Sequence, residues 1–192
     1  MSTNESTKTK VITGLVRLSY AHLFTPEAAQ GATEKKYSVS LIIKKSDKET
    51  IAMVKAAIRE ATEEGKSKFW NGKLPKKALK VPLRDGDEDR DEDVNYAGCF
   101  FINASSKTKP GVVDIYRKAI TDEEQVYSGC YARVSVNFYP YDTAGNSGIA
   151  CGLNNVMKIK DGEFLGGRAS ADSDFADINP EDYADDDFDP LS

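Results

Sequence analysis

Tyr131, Arg133, Asn137 and Tyr139 sit at odd positions of the stretch Tyr127–Tyr141, YSGCYARVSVNFYPY. Residues two apart along an extended chain project to one side, so this side would carry two phenol rings, a guanidinium and an amide. Such groups stack on flat rings and bond to oxyanions, the chemistry that holds an unpaired nucleic-acid strand. The residues between them, Ala132, Val134, Val136 and Phe138, are all apolar, which fits a strand with its other face in a core. The competing account makes both tyrosines cross-strand packing partners; this strand alone does not separate the two.

Further candidates surround it. Lys107 and Lys109 lie in SSKTKPG, and Tyr116 and Arg117 close the next segment, GVVDIYR. The irregular stretch 66–84 is basic and contains Phe69 and the sole Trp70; its Lys76, Lys77 and Lys80 would form a basic margin, while Trp70 reads better as a core residue. Enzymatic chemistry is poorly represented: there is no nucleophile triad, GxSxG or P-loop, and His22 is the only histidine. Asp114 is the one strand carboxylate worth watching. The run Asp85–Asp93 (DGDEDRDED) does not fit a calcium loop, having Arg90 at the sixth position and Tyr96 at the twelfth, and reads as a solvated acidic loop. A metal-dependent nuclease is therefore the weaker reading, and no cofactor or metal is expected.

The elements that must position these groups can be drawn from pattern. The chain has 192 residues and a net charge of −5. The segment after Arg168 holds nine of the 31 acids and no base, which leaves 22 acids against 26 bases in residues 1–168, a net of +4. A basic body with an acidic tail is suited to a polyanion ligand despite the low overall isoelectric point. Residues 1–9 and 169–192 are expected to be disordered, with a single domain over 10–168. No apolar run is long enough for a membrane span, and no secretory leader is visible. Cys99, Cys130 and Cys151 are widely spaced within apolar stretches, as buried reduced thiols would be.

Strands are expected at 10–20, 36–45, 97–104, 111–117, 127–140 and 148–160, the last broken at Gly152 and Asn154–Asn155, with a loop over 22–34. One helix follows the second strand: Ser46 and Glu49 make a capping box, Ile51, Val54, Ala57, Ile58 and Ala61 form an apolar stripe, and Gly65 marks its end. Short strands, one helix and glycine-rich turns indicate a mainly β fold, a small Greek-key barrel or sandwich.

Six segments in order, VRLSYAHLF (16–24), KYSVSLIIKKSDKET (36–50), VPLRDGDE (81–88), FFINASSKTKPGVVD (100–114), SGCYARVSVNFYPY (128–141) and GLNNVMKIKDGEFLGG (152–167), together resemble phage and prophage single-stranded DNA-binding proteins of the bacteriophage T7 type. The resemblance implies an OB-fold, a five-stranded Greek-key barrel, with a disordered acidic tail. It implies sequence-independent coating of single-stranded DNA in replication and recombination, in the cytoplasm of a bacterial host. It also implies a tail that competes with DNA and contacts a phage polymerase or helicase, which points to Asp185, Asp186, Asp187, Phe188 and Asp189. A homodimer is left open. Two departures stand out: Phe188 is followed by Asp-Pro-Leu-Ser rather than ending the chain, and the helix follows the second strand, where an OB-fold usually places it after the third. An RNA-binding or chaperone-like OB module is the alternative.

Overall fold

The computed structural model describes residues 8–143, 145–165 and 174–183. Eight strands form one sheet: β1 (Lys10–Ile12), β2 (Val16–Ala28), β3 (Lys35–Lys44), β4 (Leu83–Asp85), β5 (Cys99–Ser106), β6 (Gly111–Val113), β7 (Tyr131–Thr143) and β8 (Asn146–Lys160). Five close into a ring in the order β2-β3-β5-β8-β7 and back to β2, with β5 and β8 parallel and the other contacts antiparallel. This is an OB-fold.

The expected first strand is in fact two, both on one edge of β7: β1 pairs at Ser135–Asn137 and β2 at Tyr131–Ala132. The break lies at Thr13–Leu15. Buried Thr13 exchanges hydrogen bonds with Val134 through its amide and its hydroxyl, and the Gly14 amide donates to Thr50 Oγ1 at 2.9 Å. Ordered pairing starts before Lys10, since the Phe138 amide donates to the Thr9 carbonyl at 3.0 Å. The expected loop at 22–34 is largely strand, because β2 runs to Ala28 and accommodates Pro26 at its bulged, sparsely paired end. The segment 111–117 is strand only to Val113. In β8, the expected break at Gly152 and Asn154–Asn155 is a register shift within one continuous strand.

The helix α1 (Lys48–Lys68) lies between the second and third ring strands and packs on β7. Its cap is Asp47 rather than Ser46, with Asp47 Oδ1 accepting from the Thr50 amide at 3.1 Å; either residue type caps well, and Thr50 is held by Gly14. Gly65 does not end the helix. Its missing side chain makes room for the Trp70 ring, which any Cβ there would strike, so α1 continues to Lys68 and Trp70 is buried, as expected.

The main core contains the whole expected inner face of β7, Ala132, Val134, Val136 and Phe138, together with Val39, Leu41 and Ile43 and the α1 stripe. A second small core was not foreseen. Ile42, Tyr96, Cys99 and Phe101 are buried on the outer side of β3 and β5, with Tyr96 edge-on to Phe101 at 5.1 Å. The acidic segment covers them and is therefore ordered rather than simply solvated. Asp85 caps the turn α2 (Gly86–Asp89), Lys45 Nζ lies 2.8 Å from Asp85 and 2.7 Å from Asp87, and Asp93 caps the 3-10 turn Val94–Tyr96. All three cysteines are buried free thiols, and burial pushes each pKa up.

Candidate nucleic-acid interface

The outer faces of β2, β3 and β5 form a shallow groove. Its floor consists of Ser38, Ser40, Asn103 and Ser105, which alternate with the core residues Val39, Leu41, Ile102 and Ala104. Register aligns them, with Ser38 opposite Ser105 and Ser40 opposite Asn103. The floor is small and polar: Asn103 is exposed and Ser38 and Ser105 are half-buried, while Ser40 is buried and accepts from the Tyr96 hydroxyl at 3.4 Å. Tyr20, Lys36 and Arg90 wall one half. Past Asn103 and Ser105, common to both halves, the groove continues between Lys80, Arg84 and Tyr141.

The walls carry the groups that flat, negatively charged ligands need. Tyr20 is 59% exposed and has φ 47°, a conformation that costs a non-glycine residue free energy and here turns the ring out at the bulge in β2. The Arg84 and Arg90 guanidinium groups lie 5.1 and 5.5 Å over the Phe101 ring, so the second core fixes both cations at the groove wall. Arg84 also pairs with Asp89 at 3.1 Å. Lys107 pairs with Glu34 at 2.8 Å; that hydrogen bond holds the Glu34 carboxyl below its usual range and raises Lys107. Lys109 Nζ sits 5.6 Å over the Phe24 ring.

The residues singled out in the sequence divide into groups. Tyr139 packs beside Gly152, which pairs with Ser105 of the floor, so it stands at the groove's rim. Lys80 lines the far end and bonds to Asn146 at 3.2 Å. Lys77 reaches the Gly145 carbonyl at 3.5 Å and Lys76 is exposed on the same loop. Arg133 and Asn137 point outward from β7 as the alternation requires, but β7 is two strands from the groove floor in either direction round the ring. Arg133 Nε donates to the Thr13 carbonyl, and Asn137 Oδ1 accepts from the Thr9 hydroxyl. Tyr131 is half-buried, with Arg17 and Lys160 at 5.6 and 5.0 Å from its ring. Tyr116 and Arg117 lie in a turn beyond β6, not on a strand, where Asp114 Oδ1 accepts from the amides of Tyr116 and Lys118. Asp185, Asp186, Asp187, Phe188 and Asp189 lie outside the described residues.

The groove also holds Tyr20, Lys36, Ser38, Ser40, Arg84, Arg90, Asn103, Ser105 and Tyr141, none of them a site candidate from the sequence. The alternation in KYSVSL already turned Ser38 and Ser40 outward, and Arg90 is the one base in the acidic run. Nothing local marked Tyr20. Among the described residues, no group of three or more His, Cys, Asp or Glu is arranged to hold a metal ion, and no helix is long and apolar enough to cross a membrane.

Comparison with known proteins bears on the family and the fold. The family described as the single-stranded DNA-binding protein of Enterobacter phage Enc34 matches residues 9–188. Protein p50 of Acyrthosiphon pisum secondary endosymbiont phage 1 is 33% identical over 174 residues, covering 85% of this chain and 91% of that protein. The fold is similar to the bacteriophage Enc34 single-stranded DNA-binding protein in complex with single-stranded DNA, with TM-score 0.69 and 26% identity over 82% of this chain and 90% of that one. The single-stranded DNA-binding protein of bacteriophage T7 shares the fold, with TM-score 0.61 and 20% identity over 88% and 94% of the two chains.

Proposed function

The chain belongs to the family of the Enterobacter phage Enc34 single-stranded DNA-binding protein, and from that membership we propose that it coats single-stranded DNA during phage replication and recombination. It is a binding protein, not an enzyme. The observation that carries the reading is the continuous groove over β2, β3 and β5, with a small polar floor, exposed aromatic rings and cations held in its walls. Bases stack on Tyr20, Tyr139 and Tyr141, because every base offers a π-face. Lys36, Lys80, Arg84, Arg90, Lys107 and Lys109 accompany the phosphates, and Lys76 and Lys77 extend the basic track. A strand passing Tyr139 meets Asn137 and Arg133 along β7, which makes that face a secondary contact. Tyr131, Tyr116 and Arg117 take more peripheral places.

Among the described helices only the single turn α2 reaches the groove, through Asp89, and it is too short to enter a major groove, so discrimination among bases is weak and single strands are preferred to duplex. An RNA-binding or chaperone role is less favoured by the family. The acidic tail, through Asp185–Asp187, Phe188 and Asp189, contacts a replication partner such as a polymerase or helicase and competes with DNA for the groove. The working site is the cytoplasm of the host. A fluorescence titration with oligo-dT, poly-rU and duplex competitors, with Mg²⁺ present, tests the reading. Tight oligo-dT binding without cleavage is expected, and equal affinity for duplex overturns it.

A further inference from the structure

Two cations of the phosphate track are already paired with carboxylates of the same chain. Arg84 Nε donates to Asp89 Oδ2 at 3.1 Å, and both side chains line the second half of the groove. Lys107, directly after β5, lies 2.8 Å from Glu34, directly before β3. Glu34 is within electrostatic reach of Lys36 in the wall, and Lys107 of Tyr139 at the rim, so this pair borders the groove too.

All four side chains are exposed. Ion pairs so exposed contribute little to stability, and Arg84 is seated on the Phe101 ring in any case. Holding the fold therefore does not account for a carboxylate at each of these places. Lys36, Lys80 and Arg90 of the same walls have no carboxylate partner among the described residues.

We infer that Glu34 and Asp89 are selectivity determinants, internal counterions of Lys107 and Arg84 that disfavour duplex DNA more than a single strand. The inference rests on the single-stranded DNA-binding reading. A phosphate that reaches either cation meets the carboxylate as well. A single strand gains stacking on the exposed rings in return. A duplex keeps its bases paired inside and offers only backbone, with one charge per about 1.7 Å of axis, twice the density of one strand. Each carboxylate thus faces about twice the phosphate charge when a duplex approaches. Repelling the competitor in this way is a route to specificity in its own right.

The test titrates the full chain, Glu34→Gln and Asp89→Asn with oligo-dT and with a duplex of equal length. Both substitutions keep the side chain's size and a hydrogen-bond acceptor and remove only the charge. At low salt each variant should bind oligo-dT about threefold more tightly, the repulsion of one carboxylate and one phosphate about 6 Å apart in water. Duplex, with about twice the charge, should be bound about tenfold more tightly, so the preference for single strands falls about threefold. Both gains should fade as salt rises. Unchanged or weaker binding would make the carboxylates mere braces for the two cations and overturn the inference. An equal gain for both ligands would overturn the selectivity role. A wild-type chain that fails to bind oligo-dT, or binds duplex equally well, would instead refute the single-stranded DNA-binding reading itself.

Discussion

Arg133 Nε donates to the carbonyl oxygen of Thr13 at 2.9 Å, so a cation exposed on β7 also braces the break between β1 and β2. Replacing Arg133 with Ala should lower stability by about 0.5–1.5 kcal/mol, the net worth of a typical hydrogen bond. As a secondary phosphate contact it should also reduce the log–log salt slope of oligo-dT binding by about 0.7. Urea unfolding reads the first effect and a salt series the second. A stability loss with an unchanged slope would reduce Arg133 to a brace.

Tyr20 should be the reverse case, a ring important for binding and costly for folding. Tyr20→Ala is expected to weaken oligo-dT binding by roughly 1–3 kcal/mol, a lost stack, with the salt slope unchanged. Tyr20→Phe should retain affinity. Tyr20→Gly should lose affinity but gain stability, since glycine adopts positive φ without strain. If Tyr20→Ala binds like the wild type, the strand does not pass this wall.

The groove and the β7 face can be separated by placing a charge in each. Asn103→Asp and Ser105→Asp put a carboxylate on the groove floor, whereas Asn155→Asp puts one beside Ser135 on the β7–β8 face. The floor variants should weaken binding at least about tenfold at low salt and recover as salt screens the repulsion. Asn155→Asp should have a distinctly smaller effect. The opposite order would make the β7 face the principal track.

The groove wall should have its own acid transition. The hydrogen bond from Lys45, then that from the Gly98 amide, lowers the Asp87 pKa from its ordinary 3.8. Its contribution is therefore complete above about pH 3.8 and is lost as pH falls through the lower folded value. Lys45 is raised above 10.5 by bonds to Asp85 and Asp87, so its share is complete below that pH and disappears as pH rises through the folded value. Hydrogen exchange at the Gly98 amide, corrected for intrinsic rate, should show protection that is level from about pH 5 to pH 9 and collapses in acid. Lys45→Met should already reduce it at neutral pH. A protection profile insensitive to this substitution would show that the Tyr96–Phe101 packing alone holds the wall.

Deleting residues 169–192 removes nine acids and no base, changing the formal charge from −5 to +4. A tethered polyanion competes with DNA at high effective concentration, so the deletion should tighten oligo-dT binding most at low salt, with the difference shrinking as salt rises. Equal affinities at low salt would mean that the tail does not visit the groove.

Much of this was legible without coordinates, because alternation and helical periodicity are local. The inner face of β7, the stripe of α1, the buried thiols and the core position of Trp70 follow from which residues can be removed from water. The charge division between body and tail follows from counting. Element boundaries were less secure for the same reason: Asp47 displaced Ser46 as the cap, and Gly65 is small to admit Trp70 rather than to end a helix, choices made by groups distant in sequence.

The groove was only half visible. Side-chain alternation identifies the outward face of a strand but not which outward faces of a closed barrel become neighbours. Arg133 and Asn137 were placed on the correct side of β7, yet ring closure through β8 and β2 sets them round the barrel from Ser38, Ser40, Asn103 and Ser105. The acidic run became a groove wall only because Phe101 and Ile42, outward residues of β5 and β3, needed cover and Tyr96 supplied it. Composition and period specified a basic β-barrel with an acidic tail; the groove belongs to the tertiary structure, because strand pairing joins residues 20, 38, 84 and 103 at the lowest free energy only when the whole ring is closed.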